Sequence, residues 1–246
     1  MERMVTVRRT LVAVTVALLV ALLVAPVARP APLTGSTWCT NKDSLALIAG
    51  SSGTGYLTTG YNSPDGTYSP TAYGWWRWVT KRAANAWGTL SFNYSHVGAT
   101  TADFLPNGRW LSTAGAVADL GQNQPDLAVI SLGTNEYLTQ VDPVTFEGNL
   151  RRLVQDIHAA SPRTAVLLAV QWTSHLPNPT YVWEQYKQKI QSVAVSEMAA
   201  MVDLRQYLIP ASDPDWARFY HPDRIHLLDH SHLVVAAAFW TWLFSC

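Results

Sequence analysis

The segment from Leu45 to Tyr56, LALIAGSSGTGY, runs from an apolar stretch into glycines and hydroxyls, as a buried strand does where it ends in a functional turn. Such a turn either cradles a phosphate or presents a nucleophile. A P-loop needs G-x-x-x-x-G-K-[ST], with the lysine on the β/γ-phosphates. Gly50 and Gly55 have that spacing, but Tyr56 and Leu57 stand where Lys and Ser/Thr belong. The dinucleotide pattern G-x-G-x-x-G fails because Thr58 takes the place of its third glycine after Gly53 and Gly55. A G-x-S-x-G elbow fails too, since Thr54 follows Ser52 by two. A serine nucleophile in another strand-to-turn geometry stays open, and so does an ordinary polar loop.

A second cluster lies near the C-terminus, where Tyr220–Leu227 reads YHPDRIHL. A serine hydroxyl is weakly nucleophilic until a neighbouring base takes its proton. A histidine such as His226 is the residue type suited to that task, and a carboxylate on its other nitrogen would set its tautomer. Asp223 is three residues away, a separation that in a turn or helix brings side chains to ~5–6 Å between Cβ atoms. The histidines at 221, 226, 230 and 232 also raise a metal reading, with His226 and His230 spaced to share a helix face. No H-E-x-x-H arrangement accompanies them, so no metal and no cofactor is expected. The plainer role for His230 and His232 is capping or solvation at the start of the last helix.

These residues need a frame. Strands are predicted at 44–49, 90–97, 126–132, 164–171 and 200–204, the third and fourth almost continuously apolar, as parallel strands covered on both faces are. Between them lie helical patterns. Phe146, Leu150, Leu153, Val154 and Ile157 form one stripe, and Val182, Tyr186, Ile190 and Val193 another. A last segment, 231–244, is apolar nearly all round and is expected to pack on the sheet edge. Alternating strands and helices predict a three-layer α/β/α sandwich around a central, mostly parallel five-stranded sheet. The longest loop falls at 57–70.

The frame occupies one domain, 32–246, of a 246-residue chain. Ahead of it, Arg3, Arg8 and Arg9 precede an uncharged run from Leu11 to Ala25, the pattern of an export signal or an N-terminal membrane anchor within residues 1–31. Either places the domain outside the cytoplasm, secreted or held at the outer face of the membrane, with residues 11–25 as the membrane contact. Residues 1–31 hold four arginines and one glutamate, so the remainder of this formally neutral chain sits near −3. No basic stripe is left for a nucleic acid. Cys39 and Cys246, near the two ends of an exported domain, are expected to form a disulfide.

In an open parallel sheet, chemistry collects at the carboxyl ends of strands. Gly50-Ser51-Ser52 follows the first strand, Val97-Gly98-Ala99 the second, Gly133-Thr134-Asn135-Glu136 the third, and Asp223-x-x-His226 comes after the fifth. A serine, a glycine, an asparagine and an Asp-x-x-His pair in that order resemble the SGNH (GDSL-type) hydrolase superfamily, over about 44–244. The resemblance implies a flavodoxin-like sheet. It also implies Ser52 as nucleophile, Asp223 and His226 as orienter and base, and an oxyanion hole from Ser52, Gly98 and Asn135. Ser51 and Glu136 stand where the family has aspartates. The function implied is an ester hydrolase taking small acyl groups from a carbohydrate or lipid-like substrate, as a monomer. An acyltransferase on cell-surface glycans and an inactive glycan-binding module are the alternatives. Eleven tryptophans offer sugar-stacking faces, although most such rings serve a core.

Overall fold

A computed structural model describes residues 36–244. The signal or anchor expected at 1–31, and Cys246, lie outside the described residues. After a short helix α1 (Thr37–Thr40), the chain alternates strands and helices: β1 (Ser44–Ala49), α2 (Ser51–Thr54), α3 (Trp75–Trp87), β2 (Leu90–Asn93), α4 (Leu111–Ala114), α5 (Ala116–Asn123) and β3 (Leu127–Ser131). There follow α6 (Thr134–Leu138), α7 (Pro143–Ala160), β4 (Ala165–Val170), α8 (Trp183–Ser196), β5 (Ala200–Asp203) and α9 (Asp229–Leu243). The five strands form one sheet in the order β2-β1-β3-β4-β5, every pairing parallel.

Alternation along β1 explains why both faces are covered. Leu45, Leu47 and Ala49 enter the core beneath α3 and α9, while Ala46 and Ile48 enter the opposite one beneath α5, α7 and α8. A strand with an apolar residue at every position can only be satisfied this way. Helix α7 follows its predicted stripe, with Phe146, Leu150, Leu153, Val154 and Ile157 all buried. Its start is set by Asp142, whose side chain accepts the N–H of Val144, and by Pro143 at the first helical position.

Several expectations are corrected. The second strand ends at Asn93 rather than 97, because the Asn93 side chain turns the chain: it accepts the Ser95 N–H at 2.8 Å and donates to Gly53 O at 3.0 Å. Val182 is half exposed and precedes α8, and Trp183 fills the core place expected of it. Helix α9 covers a sheet face, not an edge, burying Val235, Ala236, Phe239 and Leu243 against the core that holds Trp75 and Trp76. His232 is buried against Trp172, not solvated, and its burial holds the ring neutral down to about 3. His226 lies outside α9, so it shares no helix face with His230, whose ring instead bonds Arg218 O at 2.7 Å.

Candidate active site

Strand β1 delivers the chain into α2, a single turn whose first residue is Ser51. Opposite it stands the 220–227 segment, closed on itself by the Tyr220–Leu227 bridge and by the His221 N–H on His226 O at 2.8 Å. The turn after β4 holds it from outside: Trp172 Nε1 donates to Ile225 O at 2.9 Å and His175 N–H to Arg224 O at 3.1 Å. Within this brace, Asp223 Oδ1 accepts the N–H groups of Ile225 (2.9 Å) and His226 (3.0 Å), and Oδ2 lies 2.6 Å from His226 Nδ1. Partial burial works against ionising this carboxyl. The His226 ring and the two backbone donors outweigh it and hold the group well below the ordinary aspartate range. An ionised Asp223 accepts from Nδ1–H, which leaves Nε2 free to accept a proton.

The hydroxyl that Nε2 meets is that of Ser51, at 2.9 Å. The sequence pattern pointed to Ser52. The correction has a simple cause, since neighbouring positions of a helical turn point about 100° apart. Ser51 faces the mouth and Ser52 turns down into the sheet, only 7% exposed. There Gln171 Nε2 donates to Ser52 Oγ at 2.8 Å, and also reaches Ser131 O (2.6 Å) and Ser131 Oγ (3.0 Å). Thr134 Oγ1 donates to Gln171 Oε1 from the other side. One buried amide thus ties the carboxyl ends of β1, β3 and β4 together, directly beneath Ser51 and next to Asn135. Gln171 carried no expectation, although it is the first polar residue after the apolar run of β4.

Asn135, on α6, donates from Nδ2 to Ala99 O at 2.8 Å, which spends one amide hydrogen and leaves the other. It packs so closely over the turn that a Cβ on Gly50 would come within 2.8 Å of Nδ2. Gly98 has φ +75°, a left-handed backbone suited to glycine, and its N–H donates to no acceptor among the described residues. Its carbonyl is held by Arg109 at 2.8 Å, and the same guanidinium forks onto Asp103 at 2.6 and 2.7 Å while lying over Trp110. Glu136, fully buried, accepts the Thr101 N–H at 2.6 Å and so joins the 98–101 loop to α6. Burial pushes its carboxyl up from the ordinary glutamate range, only partly offset by that bond. With Ser51 facing His226, the family's aspartate position before the serine falls at Gly50, and at the second departure Glu136 braces the loop behind the site. Tyr56 stands edge-on to His226, ring centres 5.0 Å apart. Among the described residues no three His, Cys, Asp or Glu side chains converge to hold a metal.

A parallel doubly wound sheet with a Ser-His-Asp relay at its carboxyl edge defines a class of serine hydrolases. The GDSL-like lipase/acylhydrolase family matches residues 57–232, and the chain belongs to that family. The match begins beyond the α2 turn, so the geometry alone separates Ser51 from Ser52. TesA is similar in structure, with TM-score 0.61, 23% identity, and 82% of this chain and 98% of that one covered. Est24, a carbohydrate acetylesterase from Sinorhizobium meliloti, has TM-score 0.61 and 18% identity, covering 81% of this chain and 97% of its own. A catalytic mutant of Axe2, an acetylxylan esterase from Geobacillus stearothermophilus, has TM-score 0.59 and 19% identity, covering 82% and 94%. No curated protein matches the chain.

Proposed function

We propose that this protein is an exported serine esterase that removes small acyl groups from carbohydrate or lipid-like esters through an acyl-enzyme on Ser51. The observation that carries the reading is the unbroken line from Asp223 through His226 to Ser51 Oγ. His226 takes the Ser51 proton as the oxygen attacks the ester carbonyl, and returns it to the leaving alkoxide. Water then repeats the sequence on the acyl-enzyme and releases the acid. Negative charge on the tetrahedral oxygen falls to the spare Asn135 hydrogen and to the Ser51 and Gly98 N–H groups. The narrow crevice lined by Gly50, Ser51, Ala99 and Asn135 holds about 10 Å³, room for about one water-sized group and no long chain, which favours a short acyl group. The family membership and the carbohydrate acetylesterases of like fold support the sugar ester as substrate. Purified protein should hydrolyse p-nitrophenyl acetate and an acetylated xylo-oligosaccharide faster than p-nitrophenyl decanoate. No turnover of any of the three would overturn the proposal.

Export and the disulfide complete it. Trp38 Nε1 donates to Leu243 O at 3.3 Å, so Cys39 sits beside the end of α9, three residues before Cys246. That proximity supports a Cys39–Cys246 bridge closing a loop as long as the domain, worth roughly 4–5 kcal/mol in the chain-entropy account. The protein recovered from the medium or cell envelope should show no alkylatable thiol until it is reduced, and its melting temperature should then fall. Two free thiols in the native protein would refute the bridge. Fractionation that left the protein in the cytoplasm would refute export. Among the described residues no helix is long and apolar enough to cross a membrane.

A further inference from the structure

Helix α3 is tied to the α2 turn, since Trp75 Nε1, on its first residue, donates to Ser52 O at 2.7 Å. The outer face of α3 borders a groove of about 560 Å³ between it and the end of the 57–70 loop. Arg77, Lys81 and Arg82 line it with Trp78, Asn85 and Pro70. The volume is that of a ligand cleft. All three cations are exposed and none takes part in an ion pair among the described residues. From Gly66 to Ala102 the chain holds no Asp or Glu at all, although the domain as a whole carries more acids than bases.

This arrangement works against the helix that bears it. Arg77 stands in the first turn, at the positive end of the helix dipole, and Arg77 and Lys81 form a like-charge pair at i, i+4. Arg82 is the opposite of mobile: its guanidinium lies over Trp78 at 5.1 Å and Trp240 at 4.9 Å, so its edge is fixed without being neutralised. Preorganised, unpaired cations retained at a cost to the fold are what an anionic ligand requires.

We propose that this groove binds the carboxylate-bearing residues of an acidic saccharide chain whose ester is presented to Ser51. The choice of a saccharide rests on the esterase reading above. The anionic character rests on the groove alone. A chain running along α3 from Arg77 to Asn85 advances ~12 Å at 1.5 Å per residue, enough for two sugar units beyond the reacting one. A bilayer fits less well. The site is concave, and none of the large exposed apolar side chains that could enter a membrane lies in its lining.

The test uses the whole exported domain and polygalacturonate as the anionic probe, with neutral xylan and phosphatidylglycerol vesicles alongside. Wild-type protein should bind polygalacturonate with an affinity that falls as salt rises, and xylan much more weakly. Arg77→Glu combined with Lys81→Glu should weaken polygalacturonate binding at least tenfold. It should not lower the melting temperature, because the unfavourable dipole contact at position 77 becomes a favourable one while the like-charge pair only changes sign. Absence of wild-type binding, equal binding by the double variant, or a preference for the vesicles would each overturn the proposal. Turnover of p-nitrophenyl acetate by wild type is scored separately. If it is absent the esterase reading falls, while the binding result still decides whether the groove is an anionic site.

Discussion

Replacing Ser51 with alanine is expected to lower kcat/KM for p-nitrophenyl acetate by at least about 10³-fold, while Ser52→Ala keeps activity within roughly tenfold of wild type. Only Ser51 Oγ meets the base, at 2.9 Å from His226 Nε2, so only its loss removes the attacking atom. Ser52 accepts one hydrogen bond from Gln171, and that amide keeps two further acceptors on Ser131 when Ser52 is truncated. Loss of a single buried hydrogen bond costs about 1 kcal/mol of stability, which a melting curve would register as a small decrease. A fluorophosphonate probe followed by peptide mass analysis reads the same question directly, because the adduct should sit on Ser51. An adduct on Ser52, or full activity in Ser51→Ala, would reverse the assignment and return it to the residue that the motif alone favours.

Asn135→Ala should reduce kcat by about 10²–10³ with KM changed little, as removal of one oxyanion donor does elsewhere. The amide has one hydrogen committed to Ala99 O and one to spare, and the spare one strengthens its bond only as charge develops on the substrate. Gly50→Ala should give a smaller loss by the same route, since the added carbon would come within 2.8 Å of Asn135 Nδ2 and displace the donor without removing it. The pair of variants separates a donor from a merely structural asparagine. If Asn135 only held the 98–101 loop, both substitutions would lower the melting temperature and raise KM, and kcat would stay near wild type.

Strands β1, β3 and β4 were legible because each is a run of apolar residues covered on two faces, and burial of that kind writes itself into composition. The helix stripe of α7 was legible for the same reason. Val182 misled because spacing identifies a face without saying where the helix begins, and Trp183 takes the burial one residue on. In the site, Asn135 and Gly98 were reachable because each follows a strand at short range, and Asp223 and His226 because their three-residue spacing is itself a local pattern. The choice between two adjacent serines was not. Both satisfy the spacing, and only the direction in which the α2 turn leaves β1 decides which hydroxyl faces the histidine. Gln171 was invisible for a further reason: its partner Ser52 is 119 residues away, and no local pattern encodes a contact of that range.

An all-parallel sheet has two unlike poles. Ser51, Asp223 and His226 occupy the pole where the strands finish. Helix α1 occupies the other, where Thr37 Oγ1 donates to Arg163 O just before β4 begins, and α9 ends against Trp38 on that same side. The two ends of the described residues therefore lie at the rear of the molecule, a full strand length of roughly 20 Å from Ser51. A tether at either terminus would hold the domain with its mouth turned away from the point of attachment. The same closeness of the ends makes this fold a candidate for circular permutation, with the old termini linked behind the sheet and new ones opened in the 57–70 loop.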